Sequence, residues 1–190
     1  MGNRTSSAPQ GNQGSRQPDK RRRIVVACLS VVAQYGVAAT THRKIAAAAG
    51  VPLGLTTYYF ARLDDLLYAA FAEFASDGSA SFADDLRAAA SPEDAVTVLV
   101  AFILAGQKRG NAESVITHEL YTLAAREERF RGITQQWMHA NRAALGRLFD
   151  EDTVRMLDPL IEGLTIHGLL GVSEPDADLV ERAIRRIVRL

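Results

Sequence analysis

Residues 40–67, with the sequence TTHRKIAAAAGVPLGLTTYYFARLDDLL, decide the fold. Thr41 is a suitable N-cap for a short helix, because a threonine hydroxyl accepts a hydrogen bond from an amide of the first turn. The alanines at 46–49 allow a second helix to cross the first closely, and Gly50 supplies the tight turn between them. This spacing is that of a helix-turn-helix, which presents one of its two helices to a DNA groove.

The composition is that of a folded protein without export signals. The chain has 190 residues and 47% apolar side chains, enough to bury a core. Cys28 is the single cysteine, so no intramolecular disulfide is possible, which fits a cytoplasmic location. Residues 1–19 are rich in polar residues, glycine and proline and predict a disordered tail. The longest apolar runs, 24–33 and 96–106, are about half of the ~20 residues that span a bilayer, so no membrane span is expected.

The charge is divided unevenly along the chain. Its formal net charge is zero, but residues 1–62 contain nine lysines and arginines against one aspartate, a net charge of +8. The remainder of the chain must therefore carry a net charge of −8. A basic segment ahead of an acidic body favours phosphate binding at one end of the molecule.

An all-α fold is the economical prediction, because almost no segment alternates apolar and polar residues as a half-buried strand does. The pattern predicts a helix-turn-helix domain over residues 20–67 and a helical ligand-binding and dimerisation domain over 68–190. The predicted helices cover residues 20–35, 42–49, 52–58, 92–108, 112–125, 127–149, 151–170 and 176–188, with a fourth helix beginning at 62 or 64. Whether that fourth helix continues through the sequence SDGSAS at 76–81 is left open.

The chain resembles the TetR family of bacterial transcriptional regulators, most strongly across residues 22–67. The matching residues are Tyr35 and Gly36 at the end of the first helix, then Thr41, Ile45, Ala46, Ala49, Gly50, Val51, Gly54, Tyr58, Phe60, Leu66 and Leu67. The resemblance implies an Ω-like homodimer with two homeodomain-like DNA-binding heads and C-terminal bundles that pair through their last two helices. It also implies a small-molecule effector pocket in each bundle, and repression as the usual mode of regulation.

The sequence departs from the family pattern at several positions of the head. Thr56 stands at the usual apolar position in the middle of the recognition helix, Leu55 takes a commonly polar place, and Tyr59 stands where histidine is frequent. Leu63 replaces a lysine common at the start of the fourth helix, and Arg62 is expected to substitute for it. These changes affect which DNA sequence is read.

Double-stranded DNA, as a palindromic operator, is therefore the expected partner of the head. Basic side chains supply affinity by displacing counterions, and helix termini hold phosphates. The exposed face of the recognition helix has few bidentate donors, so thymine methyl groups and DNA shape should contribute to readout, with Arg43 as the favoured donor to a guanine. Whether Leu53 or Leu55 packs inside the head is left open. The predicted DNA-binding residues are Lys20, Arg22, Arg23, Thr41, Arg43, Lys44, Pro52, Leu53, Gly54, Leu55, Thr57, Tyr58, Tyr59 and Arg62.

Polar side chains set into apolar helical faces predict a ligand pocket in the C-terminal half, since such pockets combine apolar walls with a few directional groups. Each of them alone is more typical of an ordinary buried or surface polar residue that has its own hydrogen-bond partner. The candidate pocket residues are Gln107, His118, Tyr121, Trp137, Asn141 and His167.

The predicted helix at 151–170 carries two apolar stripes, whereas a single core needs only one. The second stripe and the last helix form the candidate dimer interface; the alternative is a helix central in its own bundle. The candidate interface residues are Met156, Leu160, Gly163, His167, Val180, Ile184 and Ile187.

Other functions are disfavoured by missing motifs. The sequence has no HExxH, cysteine pair, P-loop, G-x-S-x-G or G-x-G-x-x-G, so neither a metal, a cofactor nor catalysis is expected. The alternatives kept are a DNA-binding architectural protein without a ligand and a small helical enzyme. A solid, void-free C-terminal core would favour the architectural protein.

Overall fold

The computed structural model describes residues 16–108, 111–172, 174 and 176–189. Over these residues the chain is helical without strands, which confirms the predicted all-α class. The helices are α1 (Arg16–Tyr35), α2 (His42–Ala49), α3 (Leu53–Tyr59), α4 (Leu63–Arg87), α5 (Pro92–Gly106), α6 (Ala112–Arg126), α7 (Glu128–Leu145), α8 (Glu151–Leu169) and α9 (Ala177–Val188). The predicted tail lies outside the described residues up to residue 15, and α1 begins four residues earlier than predicted.

The helix-turn-helix forms for the local reasons that its sequence indicates. The Thr41 hydroxyl accepts a hydrogen bond from the Lys44 amide at 3.2 Å and so caps α2. Gly50 ends α2 in the left-handed region, with φ of 62°, which glycine adopts without strain. Ile45 and Ala46 are buried, so the apolar face of α2 packs in the head core.

The recognition helix α3 begins one residue later than predicted, because Pro52 is its N-cap residue and Leu53 its first helical residue. Thr56 occupies the buried centre of this helix. Its hydroxyl donates to the Leu53 carbonyl at 2.8 Å, so a polar atom is satisfied within the head core. A threonine can therefore stand where the family usually has an apolar residue.

Helix α4 is continuous through residues 76–81, which answers the question that the sequence left open. Gly78 lies against the Trp137 indole, where an added Cβ would be 3.6 Å from Cζ2. The Ser79 hydroxyl donates to the Ser76 carbonyl at 3.0 Å, as serine does inside a helix. One unbroken helix therefore runs from the head into the C-terminal half.

Two buried clusters form the interior of the molecule. The first joins α1, α2 and the beginning of α4 to α6 and α7, through residues that include Phe71, Leu120 and Phe130. The second joins the end of α4 to α5, α7, α8 and α9. The head thus shares its core with α6 and α7, and the predicted boundary at 67/68 falls inside α4.

Most helix starts agree with the predicted ranges, and the differences lie mainly at helix ends. Ser91 and Asp150 accept hydrogen bonds from Asp94 N and Thr153 N, at 3.2 and 2.8 Å. Helix α5 ends at Gly106 rather than 108, and α7 ends at Leu145 rather than 149. No helix in the described ranges is long and apolar enough to cross a bilayer.

Candidate DNA-binding surface and ligand cavity

The outer face of α3 is a mixed apolar and hydroxyl surface. Tyr58 is 71% exposed and Leu53 is 45% exposed, and Pro52 and Thr57 are also exposed. An added Cβ at Gly54 would meet nothing within 4 Å, so this part of the helix is open to a close neighbour. Its exposed side chains are of the kinds that can contact base edges and thymine methyl groups.

Two predicted contact residues on α3 partly face the interior instead. Leu55 and Tyr59 are half-buried and pack against the head core, which reduces the surface that each can offer to DNA. The Tyr59 ring also contacts the Tyr58 ring edge-on, with centroids 5.3 Å apart. The question left open between Leu53 and Leu55 is thereby answered, because Leu53 is the exposed one.

Some of the predicted basic residues already form hydrogen bonds or ion pairs within the protein, and others do not. The Lys44 ammonium donates to the Ala39 carbonyl at 2.7 Å and lies over the Tyr35 ring at 4.4 Å. The Arg23 guanidinium donates to the Ala49 carbonyl at 2.7 Å and so ties α1 to the end of α2. Lys44 and Arg23 therefore each stabilise the head, whether or not they also contact phosphate.

Two further arginines form ion pairs. Arg22 lies 3.5 Å from Glu73 on α4, and Arg62 lies 3.1 Å from Asp64 at the start of the same helix. Both arginine side chains are about three-quarters exposed, so each pair contributes little to stability. Lys20 and Arg43 are exposed and pair with no acidic group among the described residues.

A cavity of about 550 Å³ lies between six helices. Its walls come from α1, α4, α5, α6, α7 and α8, and its volume falls in the range of small-molecule sites. Of the six candidate pocket residues, His118, Trp137 and Asn141 line it. The apolar part of the lining includes Val26, Leu29, Phe74, Phe82, Phe102 and Ile161.

The other three candidate pocket residues lie elsewhere. The Gln107 side chain is buried between α5 and α8, where its amide nitrogen donates to the Leu164 carbonyl at 3.0 Å. His167 is exposed. Tyr121 lies behind the lining, where its hydroxyl donates to Glu162 Oε1 at 2.8 Å. The prediction that these three residues line the pocket is therefore wrong. Each side chain is directed to a neighbouring helix or to solvent.

Sequence reasoning missed the acidic character of the cavity. Glu73, Asp77 and Asp85 line it from α4, together with Glu113 from α6 and Glu162 from α8. A signal for the first three was present in the sequence. Residues 73, 77, 81 and 85 recur every four positions, which places them on one helical face, and all four line the cavity.

Glu162 is a lining carboxylate whose pKa is shifted by its surroundings. Burial raises the pKa of its carboxyl above the usual range, and the charge of Asp158 adds to this effect. The hydrogen bond from Tyr121 and the charge of His118 act in the opposite direction. Burial and the neighbouring Glu162 likewise raise the pKa of the Tyr121 phenol. The anionic form of Glu162 is thus poorly solvated in the free protein.

Helix α6 connects the cavity to the head. His118 lines the cavity, and the next residue, Glu119, accepts a hydrogen bond from the Val37 amide at 3.0 Å. Val37 lies in the turn between α1 and α2. Two consecutive residues of α6 therefore contact the cavity and the turn that precedes the helix-turn-helix.

The two apolar stripes of α8 have different environments. Val154, Leu157 and Ile161 are buried in the second core, whereas Met156 is 45% exposed, and Leu160 and Gly163 are half-buried. Val180 and Ile184 on α9 were predicted at the interface, but both are enclosed in the second core of their own chain. These two residues are therefore corrected to a core face, whereas Ile187 is half-buried against the same core and stays a candidate interface residue.

Comparisons with known proteins agree with the helix-turn-helix and the cavity. Residues 90–190 match the family described as tetracyclin repressor-like, C-terminal domain. The HTH-type transcriptional regulator BetI 1 of Chromohalobacter salexigens is 24% identical over 85% of each chain. SCO7518, a predicted transcriptional regulator of Streptomyces coelicolor A3(2), is 40% identical, with a TM-score of 0.81 over 91% of this chain and 100% of that one. The multidrug binding protein EbrR, complexed with ethidium, is 30% identical, with a TM-score of 0.74 over 90% and 99%. The chain belongs to the TetR family of DNA-binding transcriptional regulators.

Proposed function

We propose that this protein is a repressor that binds a palindromic operator as a homodimer and is released by a small molecule in the cavity. The observation that carries the proposal is that one cavity is walled by both halves of the molecule. Val26 and Leu29 come from α1 of the head, while Trp137 and Ile161 come from α7 and α8. A bound molecule would touch the DNA-binding half directly.

The DNA contact is assigned to the exposed residues of the head. Arg43 and Lys20 supply positive charge, Thr41 and the amide end of α2 hold phosphate, and Leu53 and Tyr58 face the bases. Two such heads on a twofold axis require half-sites spaced roughly 34–36 Å or a multiple apart. The operator is therefore expected to be palindromic.

The homodimer is assigned to the outer stripe of α8. Met156, Leu160 and Gly163 lie on this stripe, and their own chain covers them only in part. Gly163 has open space around it, so a partner helix can approach closely. Leu170, which directly follows α8, is 68% exposed and extends the apolar surface past the end of that helix.

Release follows from a shift between two arrangements of the heads. A ligand acts only through its preference for one of them, so it must favour the arrangement whose heads are spaced wrongly for the operator. EbrR, which shares this fold at 30% identity, binds ethidium, and this supports small-molecule binding in this chain. An open cavity also counts against a purely architectural DNA-binding protein. No catalytic step is assigned, and DNA as the target implies the cytoplasm.

The DNA site is tested by fluorescence anisotropy with labelled DNA from upstream of the gene. The double variant Arg43→Ala and Tyr58→Ala is expected to weaken binding by on the order of a hundredfold, since a lost base contact costs about 1–3 kcal/mol. Arg147→Ala, which removes an exposed arginine outside the head, is the control. Unchanged affinity in the double variant would overturn this site.

The release mechanism is tested with a panel of small molecules. A compound that raises the melting temperature of the protein is expected also to weaken operator binding, because it binds the arrangement unsuited to DNA. If the stabilising compounds consistently left operator affinity unchanged, the release mechanism would be wrong.

A further inference from the structure

The charge of the cavity lining is strongly one-sided. Five carboxylates line it, against the imidazole of His118 and one guanidinium, that of Arg22, which already pairs with Glu73 at 3.5 Å. Asp77, Asp85 and Glu113 are exposed, so water solvates them and they raise the local concentration of cations. The same charges repel an anionic ligand.

Glu162 differs from these rim carboxylates because it is largely buried and forms no salt bridge among the described residues, although the imidazole of His118 on α6 is near enough to lower its pKa. Its described hydrogen bond is from the neutral Tyr121 hydroxyl, at 2.8 Å. By contrast, the nearby Asp158 carboxylate lies 2.7 Å from the Arg142 guanidinium. A largely buried carboxylate that forms no salt bridge is costly in the free protein, and a cation brought by a ligand reduces that cost.

The surroundings of Glu162 also fit a cation with an apolar body. Phe74 and Trp137 stack edge-on, with centroids 5.5 Å apart, and Tyr121 lies 6.3 Å from the same indole. Aromatic faces attract cations and provide apolar contact area. Asn141 Oδ1, on a residue that lines the cavity, is buried and has no described hydrogen-bond donor, so it is a further acceptor available to a ligand.

We infer that the cavity takes an organic cation with an aromatic or other bulky apolar body, and that Glu162 is the residue that selects its positive charge. A bare metal ion fits poorly, because no three acidic, histidine or cysteine side chains of the described residues are grouped closely enough to hold one. The role of this cation as an effector rests on the proposed function, whereas its binding in the cavity is independent of that function.

Two ions of matched shape and opposite charge test the inference directly. Tetraphenylphosphonium and tetraphenylborate are titrated into the full chain, and binding is followed by the fluorescence of Trp137. This residue is the only tryptophan of the chain and lines the cavity, so its emission reports occupancy. The phosphonium is expected to bind on the order of tenfold or more tightly than the borate. Equal affinities, or binding of neither ion, would overturn the inference.

Variants on one helix locate the charge. Glu162→Gln keeps an acceptor for Tyr121 but removes the charge, and is expected to weaken phosphonium binding about tenfold or more. Glu162→Asp keeps the charge and should retain the preference for the phosphonium. Glu151→Gln removes an exposed carboxylate from the same helix, outside the cavity, and should leave affinity unchanged. Unaltered phosphonium binding in folded Glu162→Gln would overturn the assignment to Glu162.

Operator binding in the presence of tetraphenylphosphonium separates this inference from the proposed function. Phosphonium binding that depends on Glu162 but leaves operator affinity unchanged would support the cation site and count against release. Release by an uncharged compound, together with equal affinity for the two ions, would support the proposed function and overturn the cation site.

Discussion

At the scale of single residues, Glu162 is held in an environment that disfavours its charge. Its raised pKa means that the folded protein binds this proton more tightly than the unfolded chain does. The charged and polar groups around it are Asp158 on its own helix, His118 and Tyr121 on α6, and Arg142 on α7, which pairs with Asp158. Above the ordinary pKa of glutamate, folding must therefore overcome the cost of ionising a buried group.

Glu162→Gln is expected to stabilise the ligand-free protein at neutral and higher pH. Stability changes with pH as the difference between protons bound by the unfolded and folded states, and the folded state binds more in this window. The wild type therefore loses stability as pH rises from about 4.5 through the raised pKa, and the variant does not show this loss. Melting temperatures from pH 4.5 to 8 check this, with Glu151→Gln as the control. A melting temperature of the variant below that of the wild type at pH 8 would contradict it.

Cys28 is a second residue whose surroundings determine its chemistry. Burial in α1 raises the pKa of its thiol to about 12, so almost no thiolate is present at neutral pH. We expect a disulfide reagent such as dithionitrobenzoate to react with the native protein only as fast as the head opens. Absorbance at 412 nm measures this, and the same protein in urea provides the fast control. Immediate reaction of the native protein would be incompatible with this burial.

At the scale of elements, α5 and α8 pack unusually closely. A Cβ added at Gly168 would overlap the Gln107 side chain, and one added at Gly106 would lie 2.7 Å from Thr165 Cγ2. Gln107 also donates to the Leu164 carbonyl, which ties its side chain to α8. The two helices are therefore in contact through glycine and one buried amide.

Gly168→Ala is expected to destabilise the protein by about 1–3 kcal/mol, since overpacking a close contact costs that much. Gly132→Ala on α7 is the matched control, because an added Cβ there meets nothing within 4 Å. The control should be stabilising by about 0.5–1 kcal/mol, the difference in helix propensity between alanine and glycine. Urea denaturation measures both. Equal effects of the two substitutions would contradict the close packing.

The elements themselves were largely predictable, because the signals that start and stop them are local. Thr41 caps α2 as predicted, and Ser91 and Asp150 cap α5 and α8, which begin at the predicted residues 92 and 151, since a cap depends on three or four adjacent residues. The direction of a side chain depends on distant segments instead. Val180 and Ile184 form an apolar stripe that suits either a partner chain or the chain's own core, and only the positions of α5 and α8 decide between them.

The cavity was only partly predictable, because its lining also depends on how distant segments pack. Trp137, His118 and Asn141 stood out as polar or amphipathic groups on apolar faces, and all three line it. The acids on α4 were overlooked because charged residues on a long helix usually indicate a solvated face. They line a cavity because α1, α6 and α7 surround that face, which is a property of the tertiary arrangement.

At the scale of the whole molecule, the head and the C-terminal half are joined by α4, by the apolar core that the head shares with α6 and α7, and by a hydrogen bond from α6. Glu119 on α6 accepts from the Val37 amide beside α2, and its neighbour His118 contacts the cavity. A ligand that displaces α6 therefore also displaces the turn before the helix-turn-helix.

Glu119→Ala is expected to leave a folded, DNA-binding protein whose operator affinity responds less to tetraphenylphosphonium. Coupling between sites typically amounts to about 5–150-fold in affinity, and losing this contact should reduce the factor severalfold. Glu119→Gln retains an acceptor and should restore the response, and Thr122→Ala on the exposed side of α6 is the control. Anisotropy titrations with and without the phosphonium measure the factor. An undiminished response in Glu119→Ala would exclude this connection.

Met156→Glu is expected to weaken the proposed dimer at least about tenfold, because a charge enclosed in an apolar interface lacks a partner. Met156 is 45% exposed in the single chain, so the substitution should not disturb folding. Analytical ultracentrifugation measures the dissociation constant, with Gln136→Glu at an exposed site of α7 as the control. A variant as dimeric as the wild type would place the interface elsewhere.

Because α4 is one unbroken helix, a small tilt at one of its ends becomes a larger displacement at the other. Its 25 residues span about 38 Å at 1.5 Å per residue. A tilt of about 5° at the ligand end moves the far end by about 3 Å, close to the rise of one base pair. Both heads of the proposed twofold dimer would shift in this way, so a small pivot of α4 would put the recognition helices out of phase with the duplex.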